Sequence, residues 1–321
     1  MRRRRLLALL PATLAAPALA QGFPERPVTL VIPFAPGGSS DAIARLLSER
    51  MTPILGQPVV AENRPGAGGI VASQSVARAR PDGHTLLFGG LSAQILVQGV
   101  QPNLPFDPVA DFAPVIITSK VPLVLVAARQ LEVNDAAGLI QRIRREPGQH
   151  NFSSAGNGTS GHVAAQHFAD VNQLQVTHVP YRGSAAGLAD LIAGRISYLA
   201  DTPSVVAAQA QAGQLRALAT FSGTRAAALP QVPTMREAGL PQVNNMEPWQ
   251  AILAPRGTPE PVLARLNAAL TSILADPEVR ARFAAIDLTV IGGSVSEAAR
   301  FFRAENDLWV PILRGMGLSA T

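Results

Sequence analysis

The sequence predicts an α/β protein of two lobes, and three observations support that prediction. Short apolar segments alternate with segments in which apolar residues recur at helical spacing. Repeated strand–helix units of this kind form parallel or mixed sheets covered by helices on both faces. The chain has 321 residues, 47% of them hydrophobic and 15% charged. At that length we expect two α/β cores rather than one large sheet, joined by ordered strands.

The individual elements follow from the local patterns. Residues 28–32 are continuously apolar, as in a strand buried on both faces. In the following segment Ile43, Leu47 and Met51 recur at helical spacing. The predicted strands are residues 28–32, 59–61, 85–89, 123–127, 175–179 and 215–220. The predicted helices are residues 41–55, 70–79, 135–145, 184–193, 259–274 and 296–314. Asn134 is the expected N-cap of the third helix.

Residues 1–20 have the organisation of a signal peptide. Four arginines precede an apolar stretch, and Ala18-Leu19-Ala20 supplies a small-residue cleavage site before Gln21. The stretch is short and contains two prolines, which argues against a membrane anchor. The arginines leave export by the Sec or the twin-arginine route open. We therefore expect an exported, periplasmic protein.

Charge and cysteine content exclude several classes of partner. Without the four leading arginines the chain has 23 basic and 22 acidic residues, a net charge of about +1. We therefore expect no nucleic-acid partner. The sequence contains no cysteine, so neither disulfides nor thiolate metal sites can form. No later apolar run is long enough to span a bilayer, and we expect the mature protein to be soluble.

The segment "APGGSSD" follows the first predicted strand and opens the first predicted helix. Gly37 and Gly38 allow a sharp turn and a close approach to the backbone. Ser39 and Ser40 offer hydroxyls, and the first N–H groups of the helix have no intrahelical partners. These features indicate an anion site without a basic side chain. Asp41 would cap the helix or order the loop, and an ordinary strand-to-helix turn is the alternative interpretation of the segment.

The segment "FSSAGNGTSGH", residues 152–162, is a second loop of this type. Residues 156–161 match the dinucleotide pattern GxGxxG. The acidic residue expected about 20 positions later to hold a ribose is missing. Arg182 could serve a 2′-phosphate, so a dissociable nucleotide cofactor stays a minor alternative. An exported protein gives little reason to expect one.

Other catalytic patterns are weaker still. The sole lysine, Lys120, is not preceded by a phosphate-binding glycine loop. Ser160 beside His162 could suggest a hydrolase, but no GxSxG elbow is present. His162 and His167 are five residues apart and would face different sides of a helix, a poor metal pair. We expect no enzyme activity, no metal and no cofactor.

A series of ordered motifs resembles a known family. They include "PVTLVIPFAPGGSSDAIARLL", "GQPVVAENRPGAGG", "ARPDGHTLLFG", "PFDPVADFAPV", "SSAGNGTSGH", "THVPYRGSAAGLADLIAGRI" and "ILAPRGTPEPVLARLNAAL". Together they cover essentially the whole mature chain. The sequence is similar to the substrate-binding proteins of tripartite tricarboxylate transporters, the Bug-type periplasmic receptors.

The resemblance implies a two-lobed periplasmic-binding-protein fold, type II-like, with strands crossing at the hinge. Residues 21–124 and 222–321 would form lobe 1, and residues 125–221 would form lobe 2. The implied ligand is a small carboxylate: an amino acid, a di- or tricarboxylate or an aromatic acid. The implied partner is an integral-membrane permease, and we expect a monomer. An orphan receptor that signals to a membrane sensor is the alternative within the binding class, and an exported hydrolase is the alternative outside it.

The resemblance also implies which residues contact the ligand, and the two glycine loops would face each other across the cleft. The first loop would supply Phe34, Gly37, Gly38, Ser39 and Ser40. The second loop would supply Ser154, Gly156, Asn157, Gly158, Thr159 and His162. Tyr181, Asp201 and Thr202 would line the variable end of the pocket. Thr202 stands where asparagine is commoner in the family, so a relative's ligand cannot be transferred. For Trp249 we favour core packing over ligand contact.

Overall fold

A computed structural model describes residues 22–37, 39–101, 103–243 and 246–316. The side chain of Ser39 also lies outside the described part of the chain. The predicted signal peptide, residues 1–20, and the predicted ligand residue Gly38 lie outside it as well.

Strands and helices alternate along the chain, as the sequence predicts. The strands are β1 Val28–Ile32, β2 Val59–Asn63, β3 Thr85–Gly90, β4 Phe112–Lys120, β5 Val124–Ala128, β6 His150–Ser154, β7 Val176–Pro180, β8 Tyr198–Asp201, β9 Leu215–Thr220, β10 Trp249–Pro255 and β11 Thr289–Gly292. The helices are α1 Ser39–Leu55, α2 Ile70–Ala77, α3 Val97–Val100, α4 Ala136–Arg145, α5 Ser160–Val171, α6 Ser184–Ile192, α7 Pro203–Gln211, α8 Glu260–Ala275, α9 Pro277–Ala284 and α10 Val295–Met316. A π-helical segment, Leu91–Leu96, leads directly into α3.

The strands form two mixed sheets. The first has the order β11-β4-β10-β3-β1-β2, with β1 parallel to β2 and β3 and with β10 antiparallel to β3 and β4. The second has the order β7-β6-β8-β5-β9, with β6 parallel to β7 and β8 and with β5 antiparallel to β8 and β9. In each sheet a glycine loop follows the carboxyl end of a parallel strand, β1 in the first and β6 in the second.

The chain crosses between the sheets twice. It passes from β4 to β5 through residues 121–123 and returns from β9 to β10 through residues 221–248. The crossings are hydrogen-bonded to each other, since the Val121 N–H donates to the Pro248 carbonyl and the Phe221 N–H donates to the Leu123 carbonyl, both at 2.9 Å. Lys120 and Glu247 add an ion pair of 2.8 Å at the same place. The described residues of the two crossings therefore contact each other between the sheets.

Alternating residues of the strands face different hydrophobic cores. Leu30 and Ile32 of β1 pack with α1 and α8 on one face of the first sheet, whereas Val31 faces the opposite side. The core that contains Val31 extends through α10 and into the second sheet, where it includes Phe152 and Tyr198. A third core lies between the second sheet and helices α6 and α7. The two sheets therefore share one continuous apolar interior.

The predicted start of α4 is wrong by one residue. The N-cap is Asp135, whose Oδ1 accepts the Gly138 N–H at 2.6 Å, and not Asn134. Both residue types are good N-caps, so local preference alone cannot choose between neighbours.

Trp249 belongs to the core, as favoured from the sequence. It is 2% exposed, packs edge-on against Phe301 and Phe302, and donates its indole N–H to Glu305 Oε2 at 2.8 Å. Burial raises the pKa of the Glu305 carboxyl. Across the described ranges, no helix combines the length and the apolar composition that a membrane span requires.

Candidate ligand-binding site

A cavity of about 370 Å³ lies where the loops of the two sheets meet. This volume is within the range of small-molecule pockets. The first sheet and its connections contribute Phe34, Ala67, Gly68, Ser92, Val97, Val100 and Gln101. The loop after β6 contributes Ala155, Gly156, Asn157, Gly158 and Thr159. None of these twelve lining residues has a charged side chain.

Asp41 holds the first glycine loop in place. Gly37 has a φ of 90°, and its N–H donates to Asp41 Oδ2 at 3.0 Å. Arg45 Nε and Asn63 Nδ2 donate to the same carboxylate, and Asn63 also donates to the Phe34 carbonyl. The hydrogen bonds from Arg45, Gly37 and Asn63 lower the pKa of the Asp41 carboxyl to about 2. Asp41 therefore orders the first loop by accepting the Gly37 N–H, which is engaged in that hydrogen bond.

The side chains of Ser154, Thr159 and His162 stabilise the second loop by hydrogen bonds to its backbone. Ser154 Oγ accepts the Gly156 N–H at 3.2 Å and donates to the Gly156 carbonyl. Thr159 is the N-cap of α5, where its Oγ1 donates to the Gly156 carbonyl at 2.8 Å and accepts the His162 N–H. The Gly158 N–H donates to His162 Nδ1 at 3.1 Å. Several residues predicted to contact a ligand therefore also order the loop.

The glycines of the GxGxxG match have structural roles in this loop. Gly156 and Gly158 have φ values of 134° and 74°, a region that favours glycine. A Cβ atom at Gly161 would lie 2.4 Å from the Ala200 carbonyl oxygen, so this glycine lets α5 pack closely on β8. Turn geometry and helix packing are sufficient to account for the pattern.

Two neutral histidines stack beneath the second loop. The rings of His162 and His178 have centroids 3.9 Å apart and planes 11° apart, and His178 Nε2 is 2.7 Å from Ser154 Oγ. Burial, reinforced by the neighbouring His178, lowers the pKa of His162 to about 3. Burial lowers the pKa of His178 to about 4. Both rings are therefore uncharged at neutral pH, and Nδ1 of His162 is free to accept the Gly158 N–H.

The two sheets contact each other beside the cavity. Ser92, in the π-helical segment after β3, lies 2.8 Å from Ser160, the first residue of α5, measured between the hydroxyl oxygens. A Cβ atom at Gly158 would lie 2.8 Å from Val100 Cγ2, so the second loop rests directly on α3. The π-helical segment and α3 of the first sheet therefore lie directly against the second loop and the start of α5.

A family comparison decides what kind of protein has this arrangement. The family model described as "Tripartite tricarboxylate transporter family receptor" matches residues 43–318. The chain belongs to this receptor family. The receptor is also 33% identical over 323 residues to protein BugT of Bordetella pertussis, with 99% of each chain covered. It is 37% identical to a protein encoded in the tcbD-tcbE intergenic region of Pseudomonas sp. strain P51, over 99% of this chain and 96% of that one.

Solved structures confirm the two-lobed periplasmic-binding-protein fold. The R. palustris protein Rpa4515 with adipate is 32% identical, with a TM-score of 0.83 over 92% of the receptor and 99% of that chain. MatC of Rhodopseudomonas palustris with bound malate is 33% identical, with a TM-score of 0.81 over 91% of the receptor and 100% of that chain. The periplasmic binding protein BugD is 30% identical, with a TM-score of 0.80 over 92% and 99%. The predicted membership of the Bug-type family is confirmed.

The predicted site residues fall into two groups in the receptor. Phe34, Gly156, Asn157, Gly158 and Thr159 line the cavity. The others that the structure describes act around it: Gly37, Ser154 and His162 order the loops, and Ser40 lies in the first turn of α1. Their direct contact with a ligand stays a prediction.

Tyr181, Asp201 and Thr202 are not among the lining residues. The Tyr181 hydroxyl donates to Asp190 Oδ2 at 2.6 Å, and this bond raises the pKa of the phenol. Asp201 Oδ1 accepts the Thr202 N–H at 2.8 Å, and burial raises the pKa of the Asp201 carboxyl. Thr202 is the residue before α7, and its hydroxyl is 2.9 Å from that of Ser204. Their assignment to the variable end of the pocket stays a prediction too.

Sequence reasoning missed a third glycine loop and the helix that faces it. In residues 66–69 every φ is positive, including 47° at Ala67, which is unusual for a residue with a Cβ. A Cβ atom at Gly69 would lie 2.7 Å from Ala93 Cβ, so this loop rests on the π-helical segment. The glycine run after β2 was the available signal, since β2 is parallel to β1 and both end at one edge of the sheet. Val97, Val100 and Gln101 had no comparable signal.

The receptor's serine–histidine pair does not have the geometry of a hydrolase. His162 Nδ1 is engaged by the Gly158 N–H, and the Ser160 hydroxyl is paired with Ser92 across the cleft. A general base must reach the nucleophile's proton, and it works best with a pKa near the working pH, whereas that of His162 is about 3. Within the residues described, no group of three or more potential metal ligands occurs.

Proposed function

We propose that the protein is a periplasmic substrate-binding receptor that captures a small carboxylate between its lobes and delivers it to a membrane permease. The observation that carries the proposal is the uncharged cavity, which Phe34 at the start of the first glycine loop and residues 155–159 of the second loop line together. Residues 1–20 would be removed on export, and the mature protein would act as a monomer without catalysis. Family membership and the relatives solved with adipate and malate support the ligand class.

We propose the lobe boundaries on the same basis. Residues 21–124 with 222–321 form lobe 1, and residues 125–221 form lobe 2. The sheet membership of the strands supports this division, because β1–β4, β10 and β11 share one sheet and β5–β9 share the other. The ligand would then contact both lobes at once.

The binding free energy that a receptor needs favours contacts from both lobes. A helix N-terminus contributes about 0.3–1 kcal/mol toward an anion, and up to about 2 kcal/mol when it is partly buried. Micromolar binding requires roughly 8 kcal/mol. One loop is therefore insufficient, and hydrogen bonds from both lobes with exclusion of water supply the rest. Ligand contacts to both lobes shift the population toward the closed state, which a permease can recognise.

The test is a carboxylate panel with one charge-changing variant. The wild-type protein should bind at least one small carboxylate with micromolar or tighter affinity, measured by calorimetry, and leave it chemically intact. Asn157 lines the cavity, so Asn157→Asp places a negative charge where the anion binds. We expect this variant to weaken binding at least tenfold.

Asn103→Asp is the matched control, because Asn103 is exposed and does not line the cavity. It makes the same chemical change and should leave the affinity unaltered. Undiminished binding by Asn157→Asp would refute the site. A panel without any ligand, or conversion of a compound to product, would refute the function.

A further inference from the structure

Arg182 is a cation of lobe 2 that lies beside the second loop. It follows β7, and the carboxyl ends of β6 and β7 lie at one edge of the sheet because the two strands are parallel. The Tyr181 N–H donates to the Ser154 carbonyl at 3.0 Å, and the Gly183 N–H donates to the Ala155 carbonyl at 3.3 Å. The backbone of Arg182 is therefore held against the residues that begin the second loop, of which Ala155 lines the cavity.

Within the described residues, no neighbour neutralises the charge of Arg182. Its side chain is exposed and has no hydrogen-bond or ion-pair partner in this part of the chain. Asp190 is already engaged by the Tyr181 hydroxyl at 2.6 Å and by Arg195 at 3.1 Å. Burial raises the pKa of the Asp201 carboxyl, which follows the neighbouring strand β8, and so disfavours its charged form. Lobe 2 therefore presents an unpaired positive charge next to the cleft.

On lobe 1, the charged side chains that border the glycine loops are paired with each other. Arg45 binds Asp41 at 3.0 Å, and Arg64 binds Glu62 at 2.7 Å. The residues that line the cavity are uncharged. An anion that approaches the cleft is therefore attracted by Arg182 rather than by the lining of the cavity. The attraction requires no contact, because it acts over the Debye length, which is about 8 Å at physiological ionic strength.

We infer that Arg182 attracts anionic solutes to the cleft and so raises the rate of their capture, without contacting the bound solute. Arg182 is not among the residues that line the cavity, which agrees with a role outside it. A charge at the rim of a binding site typically changes the association rate and its salt dependence, whereas a buried contact changes the dissociation rate. The inference rests on the proposed function and adds a residue that acts before the lobes close.

Arg182→Gln tests the inference, with adipate, malate, glutamate and benzoate as probes. Calorimetry at an ionic strength of about 0.01 M, where the Debye length is about 30 Å, should show at least twofold weaker binding of each probe that the wild type binds. The Coulomb energy is proportional to the charge of the ligand, so the dianions should lose more affinity than the monoanions. At about 1 M, where the Debye length is about 3 Å, the variant and the wild type should bind equally.

Measured rates distinguish attraction from contact. By stopped-flow tryptophan fluorescence, the association rate constant of Arg182→Gln should fall by the same factor as the affinity, while the dissociation rate constant stays within twofold of the wild type. Arg182→Lys should bind like the wild type, because attraction requires only the charge. A bidentate contact would require the guanidinium group.

Arg145→Gln is the matched control, because it removes the same charge from lobe 2 at a distance from the cleft. Arg145 is exposed and ends α4, which leads to the amino end of β6, whereas the second loop follows the carboxyl end of that strand. Its affinities should equal those of the wild type. Unchanged binding by Arg182→Gln at low ionic strength, an equal loss in Arg145→Gln, or a loss that persists at about 1 M salt overturns the inference and leaves the proposed function intact. Failure of all four probes to bind the wild type overturns both.

Discussion

The stacked imidazoles of His162 and His178 lie against the second glycine loop and hydrogen-bond to its residues Gly158 and Ser154. This role depends on the rings being neutral. The Gly158 N–H needs an acceptor, and Nδ1 of His162 can accept only without a proton. Burial supplies that condition by lowering the pKa of both rings. The conformation of the loop is therefore linked to the protonation of groups that do not line the cavity.

This linkage predicts an acid-sensitive stability. The folded-state pKa of His162, about 3, is below the unfolded value of about 6.5. Between these values the unfolded chain binds the proton more readily, so the free energy of unfolding falls as the pH drops below about 6.5. By pH 5 the loss from this histidine is about 2 kcal/mol. Above pH 7 its contribution changes by only about 0.2 kcal/mol.

His162→Asn tests the prediction, because Asn Oδ1 can accept in place of Nδ1. Urea denaturation at pH 7 and pH 5 should show a stability loss about 2 kcal/mol smaller than in the wild type. Equal pH dependence of the two proteins would mean that His162 titrates normally in the folded state. Between pH 7 and pH 8 the two curves should be parallel, which controls for other effects of the substitution.

The role of a side chain was predictable from the sequence where it contacts residues close to it in the chain. Asp41 follows a glycine loop at the start of a helix, and that position predicted either helix capping or loop ordering, of which the structure shows loop ordering. The partners that strengthen the role, Asn63 and the Phe34 carbonyl, come from the strand pairing of β1 with β2. Such partners are fixed by tertiary structure and carry no local signal.

Among the elements, α4 offers a direct test of capping. Asp135 accepts the Gly138 N–H at 2.6 Å, while the preceding Asn134 has no capping role. Asp135→Ala should therefore lower the free energy of unfolding by about 1 kcal/mol, measured by urea denaturation. Ligand affinity should not change, because α4 does not line the cavity.

Asn134→Ala provides the comparison for this test, since it removes a residue of the same capping class one position earlier. Its effect should be within about 0.5 kcal/mol of zero, as for most surface substitutions. A reversed order of the two effects would place the helix start where the sequence alone suggested.

Elements with strong local patterns were predictable, and those that depend on distant partners were not. The apolar run of β1 and the helical spacing of α1 predict both elements to within two residues. β4 and β10 pair antiparallel in the middle of the first sheet although they are about 130 residues apart in the chain, and they were not predicted. α3 was missed because a four-residue helix has too few turns to show a period.

At the scale of the molecule, Gly158 in the second loop packs against α3, so it lies at a contact between the two lobes. Gly158 has a φ of 74° and faces Val100 so closely that a Cβ atom would lie 2.8 Å from its Cγ2. Gly158→Ala must therefore strain the loop and push it away from α3. We expect the closed arrangement to be disfavoured and ligand affinity to fall at least fivefold, measured by calorimetry.

Gly148→Ala is the control that distinguishes backbone strain from loss of the contact between Gly158 and Val100. Gly148 has a φ of 75°, and nothing lies within 4 Å of its Cβ position. Both variants should lose about 1 kcal/mol of stability from the left-handed backbone, but this one should bind normally. Equal affinities in the two variants would show that closure does not require the Gly158 contact.

The order of the first sheet has a consequence for the emerging chain. β10 separates β3 from β4, and neither of those strands pairs with the other. A fragment that stops short of residue 249 thus contains the three paired strands β3, β1 and β2, while β4 has neither of its partners, because β11 also follows β10 in the chain. Any process that delivers the polypeptide from its amino end, whether a ribosome or a translocation pore, therefore supplies the strand that joins β3 to β4 only after more than two thirds of the chain has emerged.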